Sequence, residues 1–486
     1  MCDIYIKVGE KYYPENEYSF SPSIDYPEYL FEPITVAKED NFTYDMVRDC
    51  LIGLGLDSAN IGNTKWNPFK NLISEGNTVI IKPNLVMHKN GNKKNRDGEL
   101  DCLITHPSVV RAICDYCLIA LNGTGKIIIG DAPMQGCDFN LLLINSGYKN
   151  LIDFYRKNNI EQVVICDFRE YQTIFDKNKI IVDKKYNTQK CTDIELGIQS
   201  QHYEDASKKR YQVSDYLKEI TNKFHSGLKH VYSVNKTILE ADVVINVCKP
   251  KCHRLAGMTG AMKNLVGIVY NKACLPHRTI GSKQEGGDEY LEKSYVKKII
   301  SFILNKKISC ENQKKIKLAL IMRYIYGCLY YYVRFCKSDK YLIGSWYGND
   351  TIWRTVSDLN YILKFADKNG NICSSEQRKV FHIADMVIAG EGNGPISPEP
   401  KPLGLIIAGN NAAVIDRIIC EIMGFDYYKI PGLDKALNNN KMMLKDFNQY
   451  YINSNYINFC GMAKNIIFPT SWYFRPHEFW KDNIEK

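Results

Sequence analysis

Val79-Ile80-Ile81-Lys82-Pro83-Asn84 is three β-branched residues ending abruptly in a cation, a proline and a carboxamide, and the same grammar recurs along the chain. Ile127-Ile128-Ile129 runs into Gly130-Asp131-Ala132-Pro133, and Val243-Val244-Ile245-Asn246 leads to Lys249-Pro250-Lys251. Met386-Val387-Ile388-Ala389 leads to Glu391-Gly392-Asn393-Gly394-Pro395, and Leu405-Ile406-Ile407-Ala408 runs into Gly409-Asn410-Asn411. Short continuous apolar runs read as strands buried on both faces, as in a parallel sheet covered by helices. Ligands of such sheets bind at the carboxyl ends of the strands, so the five polar clusters are expected to converge. The predicted fold is α/β: a doubly wound, mostly parallel sheet with a helical insertion and an extended N-terminal arm.

Around these strands the chain divides into five segments. Residues 1–45 are rich in Pro and Tyr and read as an arm lying on the body. Residues 46–290 hold the first part of the α/β core, with a polar, weakly patterned excursion near 170–230. A basic, aromatic helical insertion spans 291–345, the second part of the core 346–435, and a C-terminal extension 436–486. Helical spacing predicts helices over 44–56, 351–365 and 412–423. Another is expected to open at His106-Pro107 and run through Leu121, with Thr105 as N-cap and Pro107 in the first turn.

At 486 residues the chain is long for one core. Its first residues contain acids and no apolar run, which predicts neither a secretory signal nor a membrane anchor. Seventeen cysteines without such a signal, several inside apolar patterns (Cys114, Cys117, Cys420), are expected as reduced thiols of a cytoplasmic protein. The net charge is +9, yet residues 293–340 alone carry 12 Lys and Arg against 2 Asp and Glu, leaving 51 basic and 52 acidic residues elsewhere. Basicity confined to one segment argues against a nucleic-acid partner for the whole protein.

The strand-end clusters carry the chemistry. Lys82, Lys249, Lys251 and Lys263, with Asn84 and Asn264 as orienting amides, suit a carboxylate or phosphate, so a small anionic ligand is expected. The small residues Ala256 to Ala261 allow a ligand to approach the backbone. His106, His253 and His277 each lie beside such a cluster and are candidates for acid–base work or metal ligation. Asp131, Asp288, Asp350, Glu391 and Asp416 add carboxylates. His106, His253, Asp131 and Glu391 are the catalytic candidates, and Arg354 joins the substrate-binding set. Asp131, His277, Asp288, Asp350 and Glu391 are the candidate ligands of a divalent metal, although no fixed ligand spacing is present. No phosphate-binding glycine motif and no nucleophilic serine elbow is found.

These motifs, in this order, resemble the domain of unknown function 362 family. The likeness runs through Val79–Leu85, Thr105–Val110, Ile128–Pro133, Ala241–Asn246, Lys249-x-Lys251-x-His253 and Thr259–Gly267. It continues in Gly286–Tyr290, Gly348–Arg354, Glu391–Pro395 and Met423-Gly424, covering about residues 45 to 435. Some relatives carry ferredoxin-like modules; this chain has no Cys-x2-Cys-x2-Cys-x3-Cys run, so no iron–sulfur cluster is expected. The most similar members look like those linked to bacterial surface-polysaccharide gene sets, which implies that association here. Cys248 and Cys252 stand where the family pattern looks like Pro and Thr.

Two functional readings follow. One is an enzyme acting on a small anionic substrate at the strand ends. The other is a non-catalytic binding or assembly protein that docks through its basic segment. Residues 315–336 read as a helix rich in tyrosine, with only ten residues between Arg323 and Arg334, too short for a spanning helix of about 20. A basic, aromatic helix of this kind fits either an anionic membrane surface, at the inner face of the membrane, or the protein's own core with a solvated rim. Reaction type and oligomeric state are not legible.

Overall fold

The structure is a computed structural model describing residues 3–92, 100–203, 210–214, 216–437 and 447–486. The central sheet contains β1 (Ile4–Val8), β2 (Thr78–Pro83), β3 (Lys126–Asp131), β4 (Val163–Asp167), β5 (Val243–Cys248), β6 (Lys251–His253), β7 (Gly257–Thr259), β8 (Lys379–Glu391), β9 (Glu399–Gly409), β10 (Tyr451–Ser454) and β11 (Gly461–Met462). Their order is β11-β10-β1-β9-β8-β5-β2-β3-β4, and β6 and β7 form a hairpin attached to β8 where Lys251 meets Gly390.

The five strands β8-β5-β2-β3-β4 are parallel. Alternation along each run divides the core between two faces. Val79, Ile81, Ile127 and Ile129 pack beneath α1 (Phe42–Gly53) and α2 (Pro107–Leu121), while Ile80, Ile128 and Val244 point to the other side. That second face is covered by α5 (Ile352–Phe365) and, further along the sheet, by α6 (Ala412–Ile422). Ahead of α5 in sequence, α3 (Tyr295–Asn312) and α4 (Ile316–Cys336) pack against each other as a helical hairpin. From β2 the chain winds one way to β3 and β4, then returns to place β5 on the other side of β2. The strand order therefore reverses between β2 and β5, the place where α/β sheets open a crevice.

The structure differs from the sequence expectations at several points. The expected arm contributes a strand: β1 pairs antiparallel with β9 and parallel with β10. Both partners lie more than 390 residues away in sequence, so no local pattern marks Ile4–Val8 as a sheet strand. The excursion near 170–230 contains antiparallel ribbons, Tyr171–Phe175 with Ile181–Tyr186 and Cys191–Glu195 with Lys229–Asn235. β9 runs antiparallel to β8, so Gly409-Asn410-Asn411 lies at the opposite end of the sheet, where the Asn411 side chain caps α6. Only four of the five clusters share an end. The N-cap of α2 is His106, whose Nδ1 accepts from the Ser108 amide; Thr105 Oγ1 instead donates to Val247 O and accepts from the Asn84 amide. No helix among the described residues is long and apolar enough to cross a membrane.

Candidate functional site

At the reversal between β2 and β5 lies a cavity of about 310 Å³, lined by Asn84, Asp131, Lys251, His253, Arg254, Lys263, Asn264, Lys272 and His277, among others. β2 ends in Lys82 and Pro83, β5 leads through Lys249 to the β6–β7 hairpin, and a short helical turn, Ala261–Asn264, carries Lys263 to the wall. A carboxamide chain stiffens the floor: Asn84 Nδ2 donates to Asn264 Oδ1 at 2.9 Å, and Asn264 Nδ2 to Asn246 Oδ1 at 2.7 Å. Asn84 Oδ1 and Leu103 O accept from the Lys251 ammonium at 2.7 and 2.5 Å. The two asparagines thus aim a lysine.

Asp131 borders the cavity with its oxygens already engaged. Lys82 Nζ lies 2.9 Å away, and the amides of Leu85 and Ala132 donate to it at 2.6 and 2.9 Å. Gly267 makes this possible, because a Cβ there would sit 1.8 Å from Asp131 Oδ1. The one carboxylate in the described lining is therefore engaged by Lys82 and two backbone amides, and neither Lys251 nor Lys263 forms an ion pair among the described residues. Burial, reinforced by Lys249, pulls the Lys251 ammonium down to about 7; burial, with Lys272 and Arg254 nearby, does the same to Lys263. Lys272, which donates to Ala132 O, is lowered by burial to about 8. Lys263 has no hydrogen-bond or ion-pair partner among the described residues. It is enclosed by protein yet partly accessible, because it borders the cavity itself.

The two cavity histidines are fixed in opposite tautomers. His253 Nδ1 accepts from the amides of Leu255 and Ala256 at 3.0 and 3.3 Å, so its proton sits on Nε2. His277 Nδ1 lies 2.7 Å from the carbonyl of Leu275 and must donate to it, leaving the lone pair on Nε2. Burial keeps both neutral: His253 is pushed well below its ordinary value, and His277 to about 3. One imidazole offers a proton; the other accepts one.

Seven residues singled out in the sequence thus share one cavity: Asn84, Asp131, Lys251, His253, Lys263, Asn264 and His277. The others lie elsewhere. Lys82 is beneath the wall, bonded to Asp131. Lys249 is fully buried, 2.8 Å from Asp385 and 2.6 Å from Tyr13 Oη. His106 stacks on Tyr13 with ring centroids 3.9 Å apart and caps α2, so it does not face the cavity. Glu391 accepts from the Arg475 amide. Arg354 and Asp350 pair with each other at the start of α5, and Asp288 accepts from the Thr279 and Asp350 amides and the Thr351 hydroxyl. Asp288 and Asp350 are thus neighbours, but the five metal candidates do not form one site, and no three His, Cys, Asp or Glu side chains among the described residues come together as a metal site. The amide of Ala261, at the end of the stretch expected to face a ligand, and that of Met262 just beyond it are taken by the Asp416 carboxylate, whose burial raises it to about 7.

Lys272 and Arg254 escaped sequence reading. Lys272 follows no strand end and lies in a 3-10 turn, Lys272–Cys274, so only the tertiary fold brings it to the wall. Arg254 directly follows His253 in the turn of the β6–β7 hairpin, and it matches no strand-end cluster in the sequence.

Comparison with known proteins supplies a family but no activity. No curated protein matches the sequence. A protein from Thermotoga maritima, solved by a structural genomics consortium, is similar at 9% identity with a TM-score of 0.27, over 74% of this chain. The chain spans about half of that protein's length, 54%. A family model described as a domain of unknown function (DUF362) matches residues 79–181 and 172–421, which include every strand end that builds the cavity. The chain belongs to that family.

Proposed function

We propose that this protein binds a small carboxylate- or phosphate-bearing molecule in the cavity between β2 and β5 and transfers protons on it. Lys251, Lys263 and Lys272 hold the anionic group; His277 Nε2 accepts a proton and His253 Nε2–H donates one. The observation that carries this reading is the charge imbalance: Lys251, buried, and Lys263 and Lys272, partly buried, line one cavity, and the one carboxylate in its described lining is committed to Lys82. An isolated buried charge is costly, and an anionic ligand offsets that cost by the charge-assisted hydrogen bonds it accepts. The opposed tautomers favour proton transfer over passive storage, because general acid–base chemistry needs one donor and one acceptor at the substrate.

The test incubates the full chain with a panel of small hydroxy, keto and phosphorylated acids in deuterated buffer and follows solvent exchange and turnover by NMR. The expected result is exchange or conversion of at least one member, abolished by His277→Asn. A ligand that binds saturably but undergoes neither change, across the panel, removes the acid–base role and leaves the binding site.

A further inference from the structure

We infer that the helical hairpin α3–α4 is a docking surface for an anionic phospholipid bilayer. Ala319, Tyr326 and Val333 recur every seven residues along α4 and turn inward, packing toward Ile180, Ile300 and Leu342. An ordinary surface helix would place polar residues opposite such a seam. Here Leu318, Ile321, Tyr324, Ile325, Tyr331 and Phe335 occupy the outer side, within an arc of about 140° at 100° per residue, and all are exposed. Phe335 is 77% accessible and Tyr324 62%; on α3, Phe302 adds another aromatic at 59%. An exposed apolar stripe along a whole helix marks an interaction surface.

Charge selects the partner. Lys298 and Lys307 pair with Glu285 and Glu311, but Lys306, Lys314, Lys315, Lys317 and Lys337 are exposed and pair with no carboxylate among the described residues. Three of them, Lys314, Lys315 and Lys317, cluster at the turn between the helices. A second copy meeting this face symmetrically would press two segments of net charge +10 together, which disfavours self-association. An anionic bilayer answers both features at once: lysines meet phosphate headgroups while tyrosine and phenylalanine enter the interface. α4 does not cross the membrane; it lies on it.

The experiment is co-sedimentation of the full chain with vesicles of phosphatidylcholine alone or with about 30% phosphatidylglycerol. The hairpin predicts pelleting with the anionic vesicles only and release at high salt. Each basic residue near such a surface is worth roughly fivefold in affinity, so Lys314→Gln/Lys315→Gln/Lys317→Gln lowers vesicle affinity about a hundredfold. Ile321→Ser/Tyr331→Ser/Phe335→Ser lowers it at least tenfold without lowering the melting temperature, since these side chains are already in water. Equal pelleting of wild type and both variants overturns the inference. So does a vesicle-free dimer, seen by sedimentation velocity, that the serine variant dissolves.

Discussion

Lys263 is defined by what does not surround it: an ammonium enclosed by protein, with no acceptor in reach among the described residues. In the ligand-free protein such a charge opposes folding, so Lys263→Met should raise stability by roughly 1 kcal/mol while weakening anion binding at least tenfold, measured by chemical denaturation and calorimetry. A variant that is less stable and binds normally would show that Lys263 has a structural partner. The pH dependence follows from the same displacement. Lys251 and Lys263 titrate near 7, far below the ordinary 10.5. Between those values the unfolded chain holds protons that the native protein lacks, so their contribution to stability is present above 10.5 and lost as pH falls through 7. Ligand-free wild type should therefore gain stability from pH 7 to 10 more steeply than Lys263→Met. Parallel curves would contradict the assignment. At the histidines, His277→Asn and His253→Gln should each lower turnover by about 10²–10⁴, whereas His106→Gln, which alters only a helix cap beside Tyr13, should leave rates near normal.

Among the elements, Asp385 in β8 gathers three others. It accepts from Tyr13 of the N-terminal segment at 2.6 Å, from the His106 amide at the start of α2 at 2.9 Å, and from Lys249 after β5 at 2.8 Å. Removing one member of a fully buried pair strands the other, so Asp385→Ala should cost about 3–5 kcal/mol; a loss under about 1 kcal/mol would mean the hub is not load-sharing. This hub also marks where sequence reading ended. The parallel strands, their faces and the helices were legible because apolar period and cap residues are local. Lys82 and Lys249 looked like binding lysines because a strand-end lysine looks the same whether its carboxylate partner is present or missing. Asp385 lies 136 residues from Lys249, and no spacing rule links them. β1 was hidden for the same reason: pairing across hundreds of residues leaves no trace in either strand. The antiparallel sense of β9 follows instead from the short 392–398 link to β8, too short for a parallel crossover, which the apolar period of the two runs does not convey. His253 and His277 were visible as residues, but their tautomers depend on backbone groups that only the folded loops supply.

At the scale of the whole molecule, the sheet reversal between β2 and β5 makes the crevice, and residues from the β2 end, the β6–β7 hairpin, the Ala261–Asn264 turn and the Lys272 turn fill it with positive charge. The segment of net charge +10, which includes α3 and α4, contributes no described lining residue to that cavity, so the proposed anion site and the proposed bilayer contact are separable by mutation. The central claim is that the cavity is an anion site completed by its ligand. It is tested most directly by calorimetric titration of the full chain with sulfate, an anion whose charge is constant over the range, at pH 6.5 and pH 8.5. One saturable site is expected at pH 6.5, with proton uptake on binding, at least tenfold weaker binding at pH 8.5, and loss of the site in Lys251→Met/Lys263→Met. No saturable binding at pH 6.5, or equal affinity at both pH values in wild type and variant, would contradict it.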